Sequence, residues 1–66
     1  MTDTDRLLIV IRELQGRHPE KRAPTMQEIG KRLGITRQAV YKRIKVAERR
    51  GLLEIIPRKH RGIILL

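Results

Sequence analysis

Apolar positions in this chain follow a helical period three times and then switch to a strand period. Leu7, Val10, Ile11 and Leu14 recur at i, i+3, i+4 and i+7, the spacing that gathers side chains on one face of an α-helix. Thr2-Asp3-Thr4-Asp5 ahead of them is close to a capping box, with two acids at the positive helix end. Gly16 follows, so the first helix is expected from about 3 to 15, closed by that glycine. Leu8 and Ile9 widen its apolar face. They either pack on the C-terminal strands, the favoured case, or are left for a partner.

Residues 17–24 are polar and hold Pro19 and Pro24. Pro24 biases Ala23 toward extended geometry, which allows a very short edge strand. Thr25-Met26-Gln27-Glu28 is a full capping box. It opens a second helix, about 26–33, with Ile29 and Leu33 inward, Gly30 at a close crossing, and Lys31 and Arg32 outward. Gly34-Ile35-Thr36 makes a three-residue turn, glycine supplying the positive φ and Ile35 filling the gap between helices. Thr36 is the expected N-cap of a third helix, about 37–50. Val40, Ile44 and Ala47 form its apolar face, and Gly51 is its expected left-handed C′ residue.

Beyond Gly51, residues 52–56 and 63–66 are two short aliphatic runs around Pro57-Arg58-Lys59-His60-Arg61-Gly62. They predict a β-hairpin over about 52–66, two-stranded, or three-stranded if Ala23 joins. Glu54, Ile56 and Ile64 are expected to face away from the core. The fold class is therefore mainly α with a small hairpin: one domain, residues 1–66, of winged helix-turn-helix type.

Composition narrows the chemistry. A chain of 66 residues supports one thin core. There is no Cys, and His18 and His60 lack ligand spacing, so neither metal nor other cofactor is expected. There is no Ser, no carboxylate cluster and no phosphate-cradling glycine loop, which argues against an enzyme. Glu28 reads as a cap and Glu48 as a surface pair partner. No apolar run approaches membrane-spanning length, and the expected location is the cytoplasm.

Charge turns this scaffold toward nucleic acid. Sixteen Lys and Arg oppose seven Asp and Glu, a formal net charge of +9, with an isoelectric point near 11.4. Eleven of the sixteen lie from Met26 onward, against Glu28, Glu48 and Glu54 alone. This is the footprint of a nucleic-acid binder, and the fold makes duplex DNA the expected partner. In such a fold the third helix enters the major groove with its N-terminal half against base edges. Arg37 suits guanine O6 and N7, and Gln38 suits adenine N6 and N7. Tyr41 is placed to stack on or touch a thymine methyl, or to bond a phosphate. Lys42 and Lys45 reach either bases or backbone. Thr36, Thr25 and Gln27 are expected at the backbone, as are the wing residues Arg58, Lys59 and Arg61, which would meet phosphates or the minor groove. His60 would add charge below neutral pH or stay merely solvated. Five or so phosphate contacts imply a log–log salt slope of roughly −4 to −5. A homodimer on a palindromic site is compatible with this reading. Its rivals are a winged helix that docks on a polymerase or replication factor, and a non-specific architectural DNA binder.

The stretches Ala-Pro-Thr-Met-Gln-Glu-Ile-Gly-Lys-Arg-Leu-Gly (23–34), Arg-Gly-Leu-Leu-Glu-Ile-Ile (50–56) and Arg-Gly-Ile-Ile-Leu-Leu (61–66) resemble the DNA-binding domain of the LexA (SOS) repressor family. That resemblance implies a winged helix-turn-helix repressor domain without the family's self-cleaving protease domain, hence without an autolytic response. Ile64 stands where that family usually has Arg. The third helix departs further: Thr-Arg-Gln-Ala-Val (36–40) is closer to a Ser/Thr-Arg-x-Ala-Val form found across many bacterial and archaeal winged-helix regulators.

Overall fold

The computed structural model describes residues 2–59 and 61–66. Three helices, α1 (Asp3–Arg17), α2 (Met26–Leu33) and α3 (Arg37–Arg49), precede two strands, β1 (Leu53–Ile55) and β2 (Ile63–Leu65). The strands pair antiparallel, Leu53 with Leu65, Glu54 with Ile64 and Ile55 with Ile63. α1 packs on both α2 and α3, and β1 lies against α3.

Local chemistry sets most of the boundaries. Thr2 and Asp5 complete a full capping box at α1, and Thr25 and Glu28 do the same at α2. At α2 the Thr25 N–H donates to Glu28 Oε1 (2.8 Å) and the Glu28 N–H to Thr25 Oγ1 (3.1 Å). α3 is capped by Thr36 Oγ1, which accepts from the Ala39 N–H (3.2 Å). The helix ends at Arg49, and Gly51 follows at φ 74°. The Leu52 N–H returns to Ala47 O and the Gly51 N–H to Glu48 O, both 3.0 Å, which satisfies the last carbonyls in a Schellman arrangement.

The turn between α2 and α3 depends on two glycines. Gly34 sits at φ 71° with its N–H bonded to Gly30 O, a backbone state that costs other residues strain. Gly30 lies under the turn: a Cβ there would stand 2.8 Å from Ile35 O and 3.4 Å from Val40 Cγ2.

The core is a single cluster drawn from every element. Leu7 and Ile11 of α1, Ile29 of α2, Val40 and Ile44 of α3, and Leu53 of β1 are fully buried. Val10, Ala23, Ala47 and Ile63 complete it. Each predicted apolar stripe faces inward, although Leu14 and Leu33 are only partly covered. Outside the core, Ile64 is 44% exposed opposite Glu54, as strand alternation requires, and Ile56 is half-buried.

Two expectations are corrected and one open alternative is decided. Gly16 does not close α1: the helix runs through it to Arg17, and His18 leaves at φ −69°, ψ 132°. Pro19 decides the end, because the residue before a proline is driven out of the α region. No third strand forms among the described residues. Ala23 is buried, and its carbonyl takes a side-chain donor, Arg61 Nη1 at 3.0 Å, in place of a strand partner. Leu8 is half-buried on the core, but Ile9 is 41% exposed and is not covered by the strands.

Candidate nucleic-acid interface

The N-terminus of α3 differs electrostatically from the other two. α1 and α2 each carry an acid at the third helical position, whereas α3 has Ala39 there and no acid in its first turn. Its positive dipole end is thus left unneutralised by its own side chains, a state that favours an incoming anion. Arg37 and Gln38 begin the helix there, both exposed.

Three adjoining clefts lie along this side of the molecule. The first holds Gln27, Lys31, Thr36 and Arg37 beside the turn. The second holds Arg37, Gln38, Tyr41 and Lys42 over Met26. The third lies between α3 and the wing, with Met26, Tyr41, Lys45, Arg58 and Lys59 among its walls. Arg37 is the wall shared by the first two, and Met26 with Tyr41 the wall shared by the last two. All five expected base readers and four of the six expected backbone residues therefore share one continuous basic face.

The wing tip presents an exposed arginine at a left-handed turn position. Residues 56–59 turn with the Lys59 N–H reaching Ile56 O at 3.4 Å. Pro57 occupies the second position, and Arg58 takes the third at φ 61°, the pattern of a type II turn that favours glycine at that place. Holding a non-glycine residue there costs roughly 1–2 kcal/mol, yet an exposed arginine stands in it.

Two residues expected at the DNA backbone are committed elsewhere. Thr25 is buried, with its hydroxyl accepting from the Glu28 N–H. Arg61 is not a free cation of the wing tip. Its guanidinium turns inward, and Nη1 bonds Glu28 Oε1 at 2.8 Å and Ala23 O at 3.0 Å. The physical reason is that Glu28 already faces this corner as a cap, and the Ala23 carbonyl lacks a strand partner. Arg61 therefore ties the wing to the start of α2. Lys45 is also engaged, with Nζ 3.1 Å from Glu48 Oε1. That bond and the Glu48 charge hold its ammonium above the ordinary lysine range. Arg32 with Glu13 (3.3 Å) and Arg43 with Asp3 (3.7 Å) bind α2 and α3 to α1, exposed pairs of small energetic worth. His60 lies outside the described residues.

Met26 was not legible as part of this face. Its i, i+3 and i+7 relation to Ile29 and Leu33 places it in the core stripe, and it does pack there in part. Its remaining surface forms the floor under Tyr41. Lys31, read only as an outward residue, lines the first cleft beside Thr36.

The tie between wing and α2 carries a pH signature. The Thr25 N–H first, and the Arg61 guanidinium after it, hold the Glu28 carboxyl below its ordinary value of 4.5. A depressed carboxylate contributes stability that is full above that value and is lost as pH falls through the lower folded one. The melting temperature is expected to drop as pH falls below about 4.5, and Glu28→Gln should flatten part of that drop. Asp5 titrates in the same direction through its bonds to Thr2, so the difference between the two melting profiles isolates Glu28. Superimposable profiles would refute this role for the carboxylate.

Among the described residues, no group of three His, Cys, Asp or Glu could hold a metal ion, and no helix is long and apolar enough to cross a membrane. A family model described as MarR family matches residues 6–62. Comparison with curated proteins returns no match. The matched family is not the LexA family that residues 23–34, 50–56 and 61–66 resemble, and the LexA likeness is not supported. The winged helix-turn-helix DNA-binding domain that the likeness implied is what the match supports.

Proposed function

Because the chain belongs to the MarR family, we propose that it reads duplex DNA with α3, Arg37 and Gln38 meeting base edges while the wing holds the backbone. A domain of this family is a DNA-binding transcriptional regulator domain, so repressor-like, sequence-specific binding of double-stranded DNA comes with membership. The assignment to residues rests on one observation: three basic clefts run side by side from Lys31 to Lys59, with the acid-free N-terminus of α3 between them. A recognition helix meets bases with its N-terminal half, and there Arg37 and Gln38 are exposed and form no ion pair among the described residues. Tyr41 follows one turn on, and Lys42 beside it lies where it can reach the backbone as well as a base. Lys45 reaches a base only by leaving Glu48, which makes it a weaker reader. Lys31, Gln27, Thr36, Arg58 and Lys59 flank the helix where phosphate strands would run, and Arg61 acts through the wing it anchors.

MarR-type regulators commonly bind as dimers. We extend the proposal to a homodimer acting in the cytoplasm, a reading favoured by Ile9, Ile64 and Leu66, which stay exposed in one chain. Half-sites would then lie one helical turn apart.

Affinity for matched and random duplexes separates the two kinds of contact. Arg37→Ala should remove preference worth about 1–3 kcal/mol at one base pair while leaving random-duplex affinity nearly intact. Lys59→Ala should weaken both duplexes alike. Equal losses on both duplexes for both variants would overturn the assigned roles.

A further inference from the structure

In the cleft walled by Arg37, Gln38 and Lys42, Met26 and Tyr41 supply the apolar lining. Met26 is half-buried, so its inner surface is fixed on the core while its outer surface floors the cleft walled by Arg37, Gln38 and Lys42. Tyr41, 49% exposed and the only aromatic residue in the chain, stands beside it. Phosphates have no use for an apolar floor. Of the groups displayed in the major groove, the C5 methyl of thymine is the apolar one.

We propose that Met26 and Tyr41 together receive a thymine methyl, so that α3 reads a thymine beside the base pair met by Arg37 and Gln38. This rests on the assignment of α3 as the reading helix. Charge complementarity fixes the occupant: the cleft carries Arg37 and Lys42 at its walls, so a polyanion approaches it, and the apolar floor selects which base edge settles there. The preference acts through burial of one methyl group. Because Met26 belongs to α2, two helices hold the pocket at a separation set by the turn over Gly30.

The test uses the full chain and the duplex recovered by selection from a random pool. Each thymine in turn is replaced by deoxyuridine, which removes the methyl and nothing else. One replacement, adjacent to the pair whose preference Arg37→Ala abolishes, should weaken binding about four-fold, the worth of one buried methyl. Met26→Ala should bring that difference to near one-fold. Met26→Gln, of similar length, serves the same purpose if the alanine variant folds poorly. The wild-type uridine series needs no variant at all. Wild type that binds every uridine duplex as well as its parent, or a selected site with no thymine at that place, would overturn the proposal. So would a full uridine penalty retained in both Met26 variants. If Arg37→Ala still relaxes its base pair in those cases, the methyl pocket fails and the reading helix stands. If no base pair responds to Arg37→Ala, the reading helix itself fails.

Discussion

Raising salt from about 50 to 200 mM is expected to weaken duplex binding roughly 150-fold, a log–log slope near −3.6. The value follows from how the cations are disposed. Lys31, Lys42, Arg58 and Lys59 are exposed on the clefted face and form no ion pair among the described residues. Four phosphates neutralised at about 0.9 counterions each give that slope. The sequence alone suggested a steeper one, because it counted Arg61 among the wing cations, and the structure spends that charge on Glu28. Each further contact would steepen the slope by roughly 0.9, so a titration by fluorescence anisotropy at several salt concentrations counts the cations that reach DNA. A flat response would contradict phosphate binding by this face. Lys59→Ala should bring the slope to about −2.7, whereas Arg61→Ala, at an unchanged count of free cations, should lower affinity with the slope kept.

Ile44→Ala is expected to cost the domain most of its stability. Ile44 has no exposed surface and lies on the face of α3 that meets the core. Truncating a buried isoleucine to alanine costs about 2–5 kcal/mol, the spread reflecting how far the site can collapse. A domain this small holds only about 3–5 kcal/mol in total. The melting midpoint should fall by at least ~10 °C, at about 4–8 °C per kcal/mol for such a chain. Tyr41→Ala, on the exposed face of the same helix, should leave the midpoint nearly in place while weakening DNA binding. The two melting curves, followed by circular dichroism, test whether α3 separates support from recognition across its two faces. An Ile44→Ala curve that overlays wild type would remove that separation. Ligand linkage adds a second reading: matched duplex at 100 times its dissociation constant should restore about 2.7 kcal/mol to the variant.

How much of this was legible depended on the distance over which each signal acts. α2 runs from Met26 to Leu33 as its capping box and periodicity indicate, and Gly34 and Gly51 take the left-handed φ that their places demand. Those signals are complete within a few residues of chain. The same holds for the strand pattern that leaves Glu54 and Ile64 outward. The α1 end was misread because Gly16 and Pro19 both signal a stop, and the proline's steric demand outweighs glycine's modest helix penalty. Arg61 and Glu28 lie 33 positions apart, so their pairing leaves no local trace. It comes from the hairpin folding back over the start of α2, where the Arg61 guanidinium also meets the Ala23 carbonyl. Met26 escaped for another reason. Periodicity assigns a residue to one face, and this side chain serves two, core and cleft.

The five side chains expected to read bases lie close together in the structure. Arg37, Gln38, Tyr41, Lys42 and Lys45 all line the clefts around α3. Lys45 alone is held back by a neighbouring acid.

Selection of bound sequences from a random duplex pool, run in parallel with wild type and Arg37→Ala, tests the central claim most directly. Wild type should enrich a defined motif, and Arg37→Ala should enrich the same motif with one base pair relaxed. A wild-type pool that stays random, or an Arg37→Ala motif identical at every position, would contradict reading of DNA by the N-terminal half of α3.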